Sequence, residues 1–301
     1  MGTPVPFDID DLLEKTSRTF ALAIPLLPEP TRRSVSLAYL LFRIADTLED
    51  ATEWPRAERV AALAQLASAC SETFDVDRAT RVRERWVSHP PYHHAGYMEL
   101  IGKMPELFAA LRDLPEPART LVMRHGVRTT EGMATIVMRG GEHGSVALRT
   151  LAELRDYCYL VAGIVGELLT ELFVRDTPKL ERQRADLDAN ALLFGEGLQL
   201  VNILKDERAD AGDGRSYLPE GVARREVIDL ARKDLDGAQH YIDALVRGGA
   251  PDGYVAFTSL CVNLAVASLD KLEALGPGAK LSREDVFGIL SRVNAKSCFR
   301  K

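Results

Sequence analysis

Cysteine is scarce in this chain. Cys70, Cys158, Cys261 and Cys298 are four in 301 residues, and none forms a C-x-x-C pair. That pattern excludes a zinc ribbon and a disulfide framework, and it suits a reducing cytoplasm. Positive charge is not in excess: 38 Lys and Arg against 44 Asp and Glu leave a net charge of -6, which argues against nucleic acid as a partner. Residues 1–11 hold two prolines and three aspartates with no apolar core, so no secretory signal is expected. No run reaches the ~18 uncharged apolar residues of a membrane span. The nearest, 157–174, carries Glu167 and Glu171. The metalloprotease motif H-E-x-x-H, the phosphate loop G-x-x-x-x-G-K-[ST] and the dinucleotide fingerprint G-x-G-x-x-G are all missing. Strand-like alternation is missing too.

Helical periodicity fills the space these absences leave. It predicts helices at about 9–24, 31–51, 56–74, 78–87, 97–111, 116–138, 151–174, 181–211, 222–247, 252–275 and 283–294. Prolines and glycines fall between them, as at Pro28, Pro30, Pro90-Pro91, Gly140-Gly141 and Gly276-Pro277-Gly278. Thr31 and Ser282 are read as helix caps. No repeat, linker or low-complexity segment divides the chain, so residues 1–301 are read as a single all-α domain. The His-rich stretch 90–94 reads as a loop, and His93 and His94 are given no chemistry.

Two acidic clusters break the apolar pattern. Asp46, Glu49 and Asp50 share one face of a helix at about 100° per residue, with Arg43 one turn earlier. Their neighbours Tyr39, Leu40, Leu41, Phe42, Ile44 and Leu48 are apolar or aromatic. Gln199, Asn202, Asp206 and Asp210 form a second stripe, flanked by Leu198, Leu200, Val201, Ile203 and Leu204. Taken singly, each cluster also reads as a solvated helix face. Together, two aspartate pairs at i,i+4 on apolar helices suggest a shared oxygen-rich site. Such a site suits hard cations, and Mg²⁺ takes one or two carboxylates plus substrate phosphates. A di-iron bundle would need Glu-x-x-His motifs, and none of the six histidines has Glu three residues before it.

Four segments carry a family resemblance, in order. They are Ser17-Arg18-Thr19-Phe20, then Asp46-Thr47-Leu48-Glu49-Asp50, then Tyr157-Cys158-Tyr159-Leu160-Val161-Ala162-Gly163-Ile164-Val165-Gly166, and finally 199–210 followed by Gly214-Arg215-Ser216-Tyr217-Leu218-Pro219. In these the chain resembles the squalene/phytoene synthases, the head-to-head branch of the isoprenoid synthase fold. The resemblance implies a helical bundle around a central cavity. The second motif departs from the family's usual D-x-x-E-D: Asp206 and Asp210 are kept, but Ala209 stands where Glu is usual. Glu207, about 100° round the helix from Asp206, is not an obvious substitute.

The resemblance also implies the chemistry. Two prenyl diphosphates are joined through a cyclopropylcarbinyl diphosphate, which is then reduced by NADPH or loses a proton. It implies that Mg²⁺ is held by Asp46, Glu49, Asp50, Asn202, Asp206 and Asp210. The catalytic set is Tyr157 with Asp46, Asp50, Asp206 and Asp210, Tyr157 assisting proton transfer or stabilising the cation. The substrate-binding set is Ser17, Thr19, Phe20, Tyr39, Arg43, Val161, Ala162, Gly166, Gln199, Asn202, Lys205, Arg215 and Tyr217. Arg43, Lys205 and Arg215 read equally as charge balance for the aspartates. Ala162, Gly163 and Gly166 leave room for a prenyl chain or for another helix.

The form of the first motif favours a squalene synthase type, a farnesyl-diphosphate farnesyltransferase. The end at Lys301, without a membrane anchor, suggests a bacterial type. Dehydrosqualene, phytoene or presqualene diphosphate synthesis is the alternative, and a non-catalytic scaffold subunit or a terpene cyclase lies further off. NADPH would bind in a pocket the sequence does not reveal. The expected location is the cytoplasm, with transient contact at a membrane surface to release an apolar product.

Overall fold

The computed structural model describes residues 7–71, 76–141, 148–212 and 215–298. Its elements are α1 (Ile9–Thr16), α2 (Phe20–Ala23) with a 3₁₀ turn (Ile24–Leu26), α3 (Thr31–Glu49), α4 (Arg56–Ala69), α5 (Val76–Ser88), α6 (Ala95–Gly102), α7 (Met104–Arg112) and α8 (Glu116–Arg139). They continue with α9 (Leu151–Cys158), a π-helical turn (Tyr159–Gly163), α10 (Ile164–Asp176), a 3₁₀ stretch (Pro178–Gln183), α11 (Arg184–Gly212), α12 (Arg224–Arg247), α13 (Asp252–Leu275) and α14 (Arg283–Cys298). No strand occurs among the described residues.

The expected helices are present, and four of them are interrupted or begin differently. The predicted 9–24 helix breaks at Ser17 to Thr19, within the first family motif. Ser17 has extended backbone, and its Oγ accepts from the Phe20 N–H at 2.9 Å. The predicted 97–111 helix breaks at Lys103, and the predicted 151–174 helix contains the π turn. The first residues of the predicted 181–211 helix, 181–183, belong to a 3₁₀ stretch, and α11 starts at Arg184. Part of the predicted 56–74 helix, residues 72–74, lies outside the described residues.

Caps explain some of the ends. Ser282 and Asp285 cap reciprocally: Ser282 Oγ accepts from the Asp285 N–H at 3.1 Å, and Asp285 Oδ2 accepts from the Ser282 N–H at 2.8 Å. The cap expected of Thr31 is a correction. Pro30 holds the cap position, and Thr31 is the first residue of α3. Its hydroxyl donates to Asp176 Oδ2 at 2.6 Å and accepts from Tyr254 Oη at 2.6 Å. A side chain committed to two distant helices does not cap its own.

α11 is the central element. It packs on α12, α10, the π turn and α13, while α8 packs on α4, α3 and α10. Two glycines set the closest approach. A Cβ on Gly166 would lie 2.0 Å from the Ala191 carbonyl oxygen, and one on Gly195 would lie 2.1 Å from that of Ala162. The small residues of the third motif therefore bring α11 backbone to backbone against the π turn and α10. The buried core runs from Leu12 to Val293.

Two segments are long and apolar enough to cross a membrane by composition, Leu151–Asp176 and Asp252–Leu275. The second was not singled out from sequence. More than half of each is buried inside the bundle, as core helices are. A cavity of about 560 Å³ lies between α13 and α14, lined in part by Ala267, Leu281 and Ile289. None of its lining residues belongs to the two acidic motifs. Cys70, Cys158 and Cys261 are buried free thiols, in keeping with their reading as small hydrophobes. The side chain of Cys298 lies outside the described residues.

Candidate active site

The apolar face of α3 goes into the core, which carries its last turn inward. Asp46 and Asp50 remain partly accessible there, and Glu49 is buried. Burial raises Asp46 to about 6, Arg43 opposes that rise, and Asp50 adds to it. Burial also pushes Glu49 well up, helped by Asp50 and Asp46 and opposed by Arg59 and Arg215. Glu49 Oε1 has no hydrogen-bond partner. Asp46 and Glu49 thus hold their protons more tightly than free carboxyl groups do.

The second stripe lies on α11. Asp206, Asp210 and Gln199 are half-buried, and Asn202 is exposed. Lys205 donates to Asn202 Oδ1 at 2.8 Å and lies 3.3 Å from Asp206. Glu207 turns away to Arg224 at 3.1 Å, so it does not replace the usual glutamate. Ala209 is exposed.

Arg215 joins the two clusters. One of its nitrogens is 3.2 Å from Asp50 and another is 2.9 Å from Asp210. Burial raises Asp210, Arg215 pulls it back, and Asp50 and Asp206 add repulsion. The two motifs therefore face one another across a shared guanidinium. Gly214, which precedes it in the sequence motif, lies outside the described residues.

Beside this bridge stand two tyrosines. Tyr157 and Tyr217 stack with centroids 5.0 Å apart, and their hydroxyls are hydrogen-bonded. Tyr217 Oη also donates to Asp50 Oδ1 at 3.2 Å. Burial pushes both phenols well above the tyrosine range, so both keep their protons.

On the other flank, Phe20 and Tyr39 have centroids 5.4 Å apart. Arg43 donates to Tyr39 Oη through Nε at 3.3 Å and pairs with Asp46 at 3.2 Å. Val161 and Ala162 sit half-buried on the π turn. A π turn adds a residue to the helical repeat, and such turns recur at functional sites. Gly166 faces Ala191 of α11, so of the two uses read from sequence the structure places it in helix packing. Ser17 is half-exposed and accepts from the Phe20 N–H, and Thr19 holds the cap position of α2.

Sequence reasoning missed two residues. Arg59 on α4 is buried, donates to the Glu49 carbonyl oxygen, and faces the Glu49 carboxylate. It falls on the stripe of Ala62, Leu63 and Leu66, and a charge on an apolar stripe was a readable signal. Tyr97 on α6 lies against Arg43 with no such signal.

The donor chemistry fits a divalent cation bound together with a diphosphate. Clustered carboxyl groups and the orphaned buried oxygen of Glu49 are what a hard cation would satisfy. No three Asp, Glu, His or Cys side chains among the described residues close on one point. An ion taking one or two carboxylates and completing its shell from substrate oxygens needs no closed cage. The α13–α14 cavity sets Asp270, Glu284 and Asp285 against Lys271 and Arg292, a poor balance for a phosphorylated dinucleotide.

A bundle of helices presenting two facing acidic motifs defines the isoprenoid synthase class. The squalene/phytoene synthase profile matches residues 13–227, and the chain belongs to that family. It is 27% identical over 214 residues to a squalene synthase of Schizosaccharomyces pombe, covering 70% of this chain and 43% of that protein. It is 28% identical over 303 residues to a squalene synthase of Gibberella zeae, covering 92% and 62%. The chain thus spans about two fifths to three fifths of the length of these relatives. Among solved structures it is similar to TcSQS in complex with a ligand, at TM-score 0.70 and 20% identity, covering 97% of this chain and 91% of that one. A dehydrosqualene synthase complex matches at TM-score 0.59 and 20% identity, covering 96% and 94%.

Proposed function

We propose that this chain is a squalene synthase-type prenyltransferase, condensing two farnesyl diphosphates head-to-head through presqualene diphosphate, with reduction by NADPH to squalene. The observation that carries this reading is the Asp50–Arg215–Asp210 bridge, which brings both acidic motifs to one place beside Tyr157 and Tyr217. Asp46, Asp50, Asp206 and Asp210 would hold Mg²⁺, with Glu49 and Asn202 beside them. Bound there, Mg²⁺ supplies Lewis-acid neutralisation of a leaving diphosphate.

The chain's own residues do the rest. Arg43, Lys205 and Arg215 offer N–H donors to phosphate oxygens. Phe20, Tyr39, Val161 and Ala162 form an apolar and aromatic wall that keeps water from an allylic cation. The Tyr157 ring stabilises that cation through its face. Its protonated Oη is linked through Tyr217 Oη to Asp50, a path by which a proton moves between the pocket and the diphosphate side. Residues 1–301 act as one domain in this reading, in keeping with the continuous core. Buried thiols suit the cytoplasm, and an apolar product calls for a brief contact with a membrane surface.

The test is a product assay. Purified protein receives farnesyl diphosphate and Mg²⁺, with and without NADPH, and extracts are analysed by gas chromatography and mass spectrometry. Squalene formed only with NADPH supports the proposal. Dehydrosqualene or presqualene diphosphate in both samples moves the chain to a synthase without reduction. Asp46→Asn and Asp206→Asn should each cut turnover by roughly a hundredfold or more, since several kcal/mol of charge stabilisation is lost. Retained activity in either variant would remove the metal assignment.

A further inference from the structure

The His-rich stretch set aside as a loop leads directly into the site. His94 caps α6: its Nδ1 accepts from the Tyr97 N–H at 3.4 Å, and its ring lies 4.1 Å from the Tyr97 ring. The docking of α6 is tight. A Cβ on Gly96 would lie 2.7 Å from the Lys15 carbonyl oxygen, so only glycine lets α6 sit this close to α1. Lys15 also pairs with Glu99 at 2.9 Å across the same contact. Tyr97 is thus held by His94, through its cap bond and its ring, and by the docking of α6 on α1.

Its ring meets Arg43. The guanidinium carbon lies 5.4 Å from the Tyr97 centroid and 5.5 Å from that of Tyr39, both within cation–π range. The edges of the same guanidinium are committed to Tyr39 Oη and to Asp46. Tyr39 Oη in turn donates to the Thr16 carbonyl oxygen at 2.8 Å. Arg43 is therefore fixed in direction without losing its charge, because neutral rings cover it where a second carboxylate would cancel it. Without them, a long arginine side chain would pay rotamer entropy each time it engaged an anion.

We infer that Tyr97 is a positioning residue of this site, its ring together with that of Tyr39 clamping Arg43 in place to receive a diphosphate. The inference rests on the proposed function for the identity of the anion. It adds a residue from α6 to a site otherwise built from α2, α3, α4, α9, α11 and the segments that follow α9 and α11.

The test reads binding and turnover separately. Inorganic diphosphate with Mg²⁺ is titrated calorimetrically into the full chain, and kcat and KM are measured with farnesyl diphosphate. Tyr97→Leu should weaken diphosphate binding by roughly 3- to 30-fold, the range of a partly desolvated cation–π contact. Tyr97→Phe keeps the ring and should rescue most of that loss. Pentafluorophenylalanine at position 97 keeps the shape but reverses the ring's charge distribution, and should behave like leucine even if the leucine variant folds poorly. In an Arg43→Ala background, Tyr97→Leu should cause no further loss. Equal losses in both backgrounds would overturn the clamp, as would a fluorinated ring that binds like the native one. Wild-type protein that binds diphosphate but consumes no farnesyl diphosphate would overturn the proposed reaction and leave the clamp standing. Wild-type protein that binds no diphosphate would overturn the clamp itself.

Discussion

At the scale of the residue, Asp234 on α12 is fully buried, and neither carboxylate oxygen has a hydrogen-bond partner. Burial lifts its pKa from 3.8 to about 7; nearby Glu196 adds to the rise, while Arg155 and Lys233 oppose it. The folded protein therefore holds a proton that the unfolded chain releases near pH 4. Stability from this group is complete below pH 4 and is lost as the pH rises through 7. Asp234→Asn should remove that loss. Between pH 5 and pH 8, urea unfolding of the wild type should lose on the order of 2 kcal/mol more than the variant does. Parallel curves would show that Asp234 is ionised and compensated throughout.

Ala209 poses the opposite case. Its counterpart in the first motif, Glu49, is buried against Arg59, whereas position 209 is exposed on α11. Ala209→Glu should leave turnover within about twofold and stability within ~0.5 kcal/mol, as exposed substitutions do. Strong inactivation would mean that the alanine is needed. The aspartates of both motifs were legible because acids that interrupt an apolar helix stand out by spacing alone. Tyr97 was not, because its contact with Arg43 joins residues 54 positions apart and leaves no periodic trace.

At the scale of the element, proline and glycine made α3, α8 and α13 legible nearly to the residue. Gly276, at φ 85°, ends α13 with its N–H on the Leu272 carbonyl oxygen. The breaks at 17–19 and 159–163 were hidden for a different reason. Each keeps helix-forming residues and is decided by packing, the first by the Ser17 side chain and the second by backbone contact with α11. Gly166→Ala and Gly195→Ala should each cost about 1–3 kcal/mol by overpacking two carbonyl groups that cannot retreat. Gly102→Ala, with nothing within 4 Å of its Cβ, should be close to neutral. Thermal unfolding followed by circular dichroism would order the three. If all three melted alike, close approach would not be what these glycines supply.

At the scale of the whole molecule, a buried polar node ties distant parts of the chain together. Asp176 at the end of α10 accepts from Thr31 of α3, which also bonds Tyr254 of α13, and Arg175 pairs with Asp176 at 2.6 Å. Tyr254 stacks on Phe173 with centroids 4.0 Å apart. Asp176→Ala would leave the half-buried Arg175 guanidinium without its carboxylate and the Thr31 hydroxyl without its acceptor. It should lower stability by roughly 3 kcal/mol in chemical denaturation, with the midpoint shifted and the slope unchanged. A loss below ~0.5 kcal/mol would mean that water replaces the carboxylate at no cost.

The Arg215 bridge sets the terms on which anything enters the acidic centre. Because Asp50 and Asp210 already share a resident counterion, an incoming cation must displace a guanidinium before it can coordinate both. A bare ion therefore trades one positive charge for another at a loss of good hydrogen bonds. An ion that arrives with a polyanion gives the displaced arginine a new partner. If the proposed reaction runs here, the centre would work as an ion exchanger that favours a metal–anion pair over either component alone.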